Sequence, residues 1–78
     1  MQRLPNLKTA RQFRGISQVE LSAKSKIGKT SILNIENGHG GAKPATAKAI
    51  ADALGFEIWQ LMSDDPKDLR NQGVKTNV

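Results

Sequence analysis

The side chains best suited to recognising another molecule are concentrated between Ser17 and Gly38, in SQVELSAKSKIGKTSILNIENG. Lys29 could donate to guanine O6 and N7, and Asn34 suits adenine N6 and N7. Thr30 offers a methyl to thymine, or a hydroxyl to a base edge or phosphate, and Leu33 could pack on a thymine methyl. Plainer roles stand beside these: phosphate contact or solvation for Lys29, phosphate contact for Asn34, a partly exposed helix position for Leu33. Catalysis has far less to work with. The chain has no cysteine and a single histidine, His39, so neither a zinc site nor a nucleophile–base pair can be assembled. The run Ala23–Thr30, AKSKIGKT, ends like a nucleotide-binding loop. Ala23, however, stands where that motif needs its first glycine, and no strand leads into it. Asp64 and Asp65 read as a solvated pair.

The elements that must carry these residues are helices. No stretch alternates apolar and polar residues long enough to predict a strand, so the chain reads as all-α. Ser17-Gln18-Val19-Glu20 is a capping box that starts one helix, with Leu21 and Val19 as its inward groups. Ser25, Lys26 and Ile27 make a turn, with Ile27 plugging the gap between two helices. The next helix runs from about Gly28 to Asn37, with Ile32 and Ile35 as its buried stripe and Asn37-Gly38 as its stop. Two short helices joined by a tight turn, the second with a polar outer face that begins at a lysine, have the build of a helix-turn-helix. Gln18 sits at a helix N-terminus whose free N–H groups and dipole favour a phosphate.

Around this pair the spacing predicts three more short helices. One opens at Pro5-Asn6 and runs to about Arg14, with Leu7, Ala10, Arg11 and Arg14 on one face and Gly15 as its end. Another starts at Pro44-Ala45-Thr46 and repeats Ala47, Ile50, Ala51 and Leu54 before Gly55. A last one, about Glu57 to Met62, carries Ile58 and Leu61. Leu7, Leu21, Ile27, Ile32, Ile35, Ile50, Leu54, Phe56, Ile58 and Leu61 are the expected core, with Ala10, Ala47 and Ala51 allowing close helix approach. Residues 1–62 form the expected domain, and 63–78 a polar, flexible tail.

Charge follows the same division. Residues 1–43 hold eight Lys/Arg against Glu20 and Glu36, whereas 44–62 hold only Lys48 against Asp52 and Glu57. The tail balances three bases with three acids, so the overall +5 is a net +6 on residues 1–43, which contain the two-helix motif, offset by −1 on residues 44–62. This is the distribution of a nucleic-acid footprint, although a solvated basic surface would look alike. A 78-residue chain without disulfides buries little surface and must rely on helix packing, with a dimer partner as added support. The N-terminal residues MQRLPNLK lack an apolar signal core, and no segment is long and apolar enough for a membrane span. A cytoplasmic protein is expected.

The motifs LKTARQFRGISQVEL, IGKTSILNIENG and PATAKAIADALGFEIWQLM, in this order and spacing, resemble the lambda-repressor-like, Cro-type helix-turn-helix family, often called XRE. The resemblance covers residues 7–62 and implies a five-helix domain whose third helix enters the DNA major groove. It places Lys29, Thr30, Leu33 and Asn34 where bases are read. Gln18, Asn37, His39 and Lys43 fall where phosphates are touched, and Ser17 and Lys26 are expected to add phosphate contacts of their own. Arg11 and Glu36 correspond to a structural ion pair between helices. Trp59, with Phe56 and Met62, either covers the core or joins a dimer seam. The implied protein is a transcriptional regulator, a repressor that binds a palindromic operator as a homodimer without cofactor, metal or enzymatic activity. It would be bacterial or phage-encoded and nucleoid-associated when bound. The alternative is an antitoxin or assembly partner that binds a protein through the 63–78 tail and regulates its own promoter. Three positions depart from the family pattern. Lys26 stands where glycine is common, Ser22 where a small alanine is usual, and Gly28 offers the third helix no side-chain cap.

Overall fold

The computed structural model describes residues 2–70. The chain runs through α1 (Leu7–Phe13), α2 (Gln18–Ser25), α3 (Lys29–Glu36), α4 (Pro44–Leu54) and α5 (Ile58–Met62), then a 3-10 helix at Pro66–Arg70. Local chemistry accounts for most of the boundaries. Ser17 Oγ accepts from the Glu20 N–H at 3.1 Å, and the Ser17 N–H donates to Glu20 Oε1 at 3.0 Å, so the expected capping box opens α2. Pro44 starts α4, where its missing N–H costs nothing. Gly55 ends that helix in the left-handed region at φ 75°. No helix among the described residues is long and apolar enough to cross a membrane.

The core is shared by all the helices. Leu7, Leu21, Ile32, Ile50 and Leu61 are fully buried, each such side chain stabilising the fold by roughly 1.5–3 kcal/mol. Ala10, Ala47 and Ala51 are buried as expected. Ile27 and Ile58 pack against the core but keep some exposure. Val19 departs from its expected inward position and is 60% exposed. It lies two residues from Leu21, about 200° round the helix, so when Leu21 faces the core Val19 must face away.

Leu4 and Ala42 join the core from outside the helices. They do so because the N-terminal segment is paired with the loop after α3. Gln2 N–H donates to Ala42 O at 2.8 Å and Ala42 N–H to Gln2 O at 2.7 Å. Gly41 is needed there: a Cβ would sit 2.7 Å from the Gln2 carbonyl oxygen.

The expected boundary at residue 62, with a flexible tail beyond it, is corrected for residues 63–70. Leu69 is 1% exposed and packs into the core. Asn6 opens α1 without capping it; its side-chain amide donates to Gln60 O at 3.0 Å and Asp65 O at 2.9 Å. Gln60 Nε2 donates to Asp68 O at 2.8 Å, and the Ser63 hydroxyl donates to the Asp68 carboxylate. A buried apolar anchor with satisfied polar groups around it holds this segment to α1 and α5. The remainder of the tail, 71–78, lies outside the described residues.

Candidate nucleic-acid interface

α3 presents two contrasting faces. Ile32 and Ile35 point into the core, whereas Lys29, Thr30, Ser31, Leu33 and Asn34 are exposed. All four side chains expected to read bases therefore lie on the outside of one helix. Gly28 provides no side-chain cap at its start. At the other end Gly38 takes the left-handed conformation at φ 76°, with its N–H on Ile35 O, and the His39 N–H reaches Asn34 O at 2.9 Å. This is the stop expected of Asn37-Gly38.

The turn before α3 is stitched by two serines. Ser22 Oγ donates to Ile27 O at 2.7 Å, giving the hydroxyl the partner that its departure from alanine requires. Ser25 Oγ donates to Leu21 O at 2.7 Å and accepts from the Ile27 N–H. Lys26 is left-handed at φ 63°, the one non-glycine residue with positive φ among those described. That conformation costs an L-residue roughly 1–2 kcal/mol. Its side chain is exposed.

Behind this surface, Arg11 fixes α1 to α3. Its Nε lies 2.7 Å from Glu36 Oε2 and its Nη2 3.2 Å from Oε1, while Nη1 donates to Ile16 O. Gln18 Nε2 donates to the same carboxylate at 3.0 Å. One hydrogen of the Gln18 amide is thus committed to positioning, and the other is left for a second acceptor. Ser17 is committed to its capping box in a similar way and retains its hydroxyl hydrogen.

The post-α3 loop brings further expected residues together. Asn34, His39 and Lys43 line one cleft of about 380 Å³, joined by Ser31 and Thr46. The last two were not legible as site residues. Ser31 lies three residues before Asn34 on the same helix face, and Thr46 depends on how α4 is set against α3. Asn37 is exposed at the end of α3, outside this cleft.

A helix-turn-helix family model matches residues 7–58. The chain belongs to the XRE, lambda-repressor-like helix-turn-helix family. It is a DNA-binding regulator of the XRE kind, with α2 and α3 as its helix-turn-helix. Neither the curated proteins nor the solved structures gave a match. This XRE domain extends past the matched residues, since Leu61 and Leu69 complete its core.

Of the three residues expected at a dimer seam, Phe56 takes the core position that was also expected of it. It is buried beneath Phe13, whose ring meets it edge-on at 5.9 Å, and beneath the Arg14 guanidinium, 4.2 Å from its centroid. Arg14 also donates to Leu54 O at 2.7 Å and to Gly55 O, closing the end of α4 in this XRE domain. Trp59 is half-buried and Met62 exposed.

Proposed function

We propose that this protein is a transcriptional repressor that binds a palindromic operator as a homodimer, with α3 of each copy in the major groove. The observation that carries this reading is the outer face of α3, where Lys29, Thr30, Leu33 and Asn34 are exposed together while Ile32 and Ile35 anchor the helix from behind. In this arrangement these four read base edges, and Ser17, Gln18, Lys26, Asn37, His39 and Lys43 hold the flanking phosphates. Phosphate contacts supply the salt-dependent affinity, and base contacts supply the sequence preference.

One copy touches too few base pairs for tight, selective binding. Two copies related by a two-fold axis read half-sites with centres about 34 Å apart. Repression needs only occupancy of the operator, which a DNA-binding unit provides without a further activity. Met62 and Trp59 remain the candidate seam. The protein-partner reading is weakened because Leu69, one of the few apolar anchors in the 63–78 tail, is already used within the domain.

Selection from a random double-stranded DNA pool, followed by binding of the enriched sequences at two salt concentrations, tests this function. An enriched palindrome with affinity falling steeply as salt rises is expected. Sequence-blind or absent binding would overturn it.

A further inference from the structure

We infer that Arg3, on the N-terminal segment before α1, is an additional DNA-phosphate contact. The pairing of that segment with the post-α3 loop holds it in place. The inference rests on the proposed DNA-binding face and extends it to a part of the chain outside the helix-turn-helix.

The placement comes from the backbone. The Gln2–Ala42 bridge makes two hydrogen bonds, and the residue beside it is Gly41, where a Cβ would collide with the Gln2 carbonyl. The segment is therefore seated against the loop at one register. Arg3 follows immediately, and its Nη1 reaches Gly38 O at 3.4 Å. Its guanidinium thus lies at the C-terminal end of α3, beside Asn37 and Gly38 on the wall of one groove.

The chemistry of Arg3 favours an anion. It is exposed and forms no ion pair among the described residues. Its bond to Gly38 O is long and leaves most of its five N–H donors for another acceptor. Of the two carboxylates lining the same groove, Glu36 is engaged by Arg11, and Asp64 makes no ion pair with Arg3. A planar guanidinium on a seated backbone, next to residues placed against phosphates, is preorganised for a charge-assisted phosphate contact. A purely structural role, holding the Gly38 carbonyl in the loop after α3, would affect folding stability but not the response of binding to salt.

The test measures binding of the full-length chain to its selected operator across a salt series, for wild type, Arg3→Ala, Arg3→Lys and Lys48→Ala. Lys48 pairs with Asp52 on α4 and belongs to no proposed contact set, so it controls for loss of net charge. Circular dichroism checks that each variant is folded. Arg3→Ala is expected to lower the slope of log affinity against log salt by about 0.9. Between about 50 and 200 mM salt, the wild-type advantage then shrinks roughly 3.5-fold. The loss should be equal on matched and mismatched sequences, Arg3→Lys should restore most of the slope, and Lys48→Ala should leave it unchanged. An unchanged slope in Arg3→Ala, an equal drop in Lys48→Ala, or a loss confined to particular base sequences would each overturn the assignment. If the wild-type chain shows no salt-dependent DNA binding, the DNA-binding reading itself fails and this contact falls with it.

Discussion

Arg11 and Glu36 meet in a two-pronged contact, 2.7 and 3.2 Å, across the joint between α1 and α3. The carboxylate side chain is 2% exposed and the guanidinium side chain 12%. The outer face of α3 is therefore set by a charge pair shielded from water. Glu36 also accepts from Gln18, so one carboxylate fixes both helices of the helix-turn-helix relative to α1.

Removing one partner of this pair should be severe. Arg11→Ala leaves the Glu36 carboxylate without its cation, and breaking a buried pair on one side costs about 3–5 kcal/mol. That is a large share of a small domain's stability. Urea unfolding should show a strongly lowered midpoint. The double change Arg11→Met with Glu36→Leu should recover much of the loss, because no charge is then stranded. A single variant within about 1 kcal/mol of wild type would mean that water already screens the pair.

Lys26 allows stability and binding to be separated. Glycine occupies the left-handed region without the Cβ penalty, so Lys26→Gly should raise stability by about 0.5–1 kcal/mol after its greater unfolded-state freedom is counted. The same change removes a proposed phosphate contact, so the salt slope of DNA binding should fall by about 0.9. Thermal unfolding and a salt titration measure the two effects separately. If stability rises while the slope stays constant, Lys26 has no phosphate partner.

What the sequence made legible was local. The Ser17–Glu20 capping box, the Gly38 and Gly55 stops, and the Ile32/Ile35 stripe each depend on residues within a turn or two of one another, and such spacing is visible in a linear pattern. The left-handed Lys26 was visible because it stands where a known motif has glycine. Long-range partners were not legible. Asn6 looks like a helix cap but bonds Gln60 and Asp65, more than fifty residues away. Leu69 looks like an isolated apolar residue in a polar tail, because its partners lie on α1 and α5. Phe56 fits a seam and a core equally well until Phe13 and Arg14 are seen to cover it. In the candidate site, the exposed face of α3 follows from its periodicity. The meeting of His39 and Lys43 with Thr46 depends on how the loop after α3 is pinned.

Leu69 tests where the folded unit ends. Leu69→Ala removes a fully buried side chain and should destabilise the domain by about 2–5 kcal/mol. A chain truncated after Met62 loses the same anchor together with the Asp65 and Asp68 carbonyl acceptors, and should be at least as unstable. Chemical denaturation of both compares them directly. A truncated chain as stable as wild type would restore the boundary at residue 62.

Lys29 is the sharpest probe of base reading. It occupies the first turn of α3 with its side chain exposed, next to a Gly28 that offers no side chain of its own. A lysine donating to guanine O6 and N7 contributes discrimination only at that base pair. Lys29→Ala should therefore weaken operator binding by about 1–3 kcal/mol and relax the preference at one position of each half-site, with the remaining positions unchanged. Repeating the selection with the variant would show that position alone becoming degenerate. A loss of the same size on every sequence, with a salt slope reduced by about 0.9, would instead assign Lys29 to a phosphate and leave sequence reading to Thr30, Leu33 and Asn34.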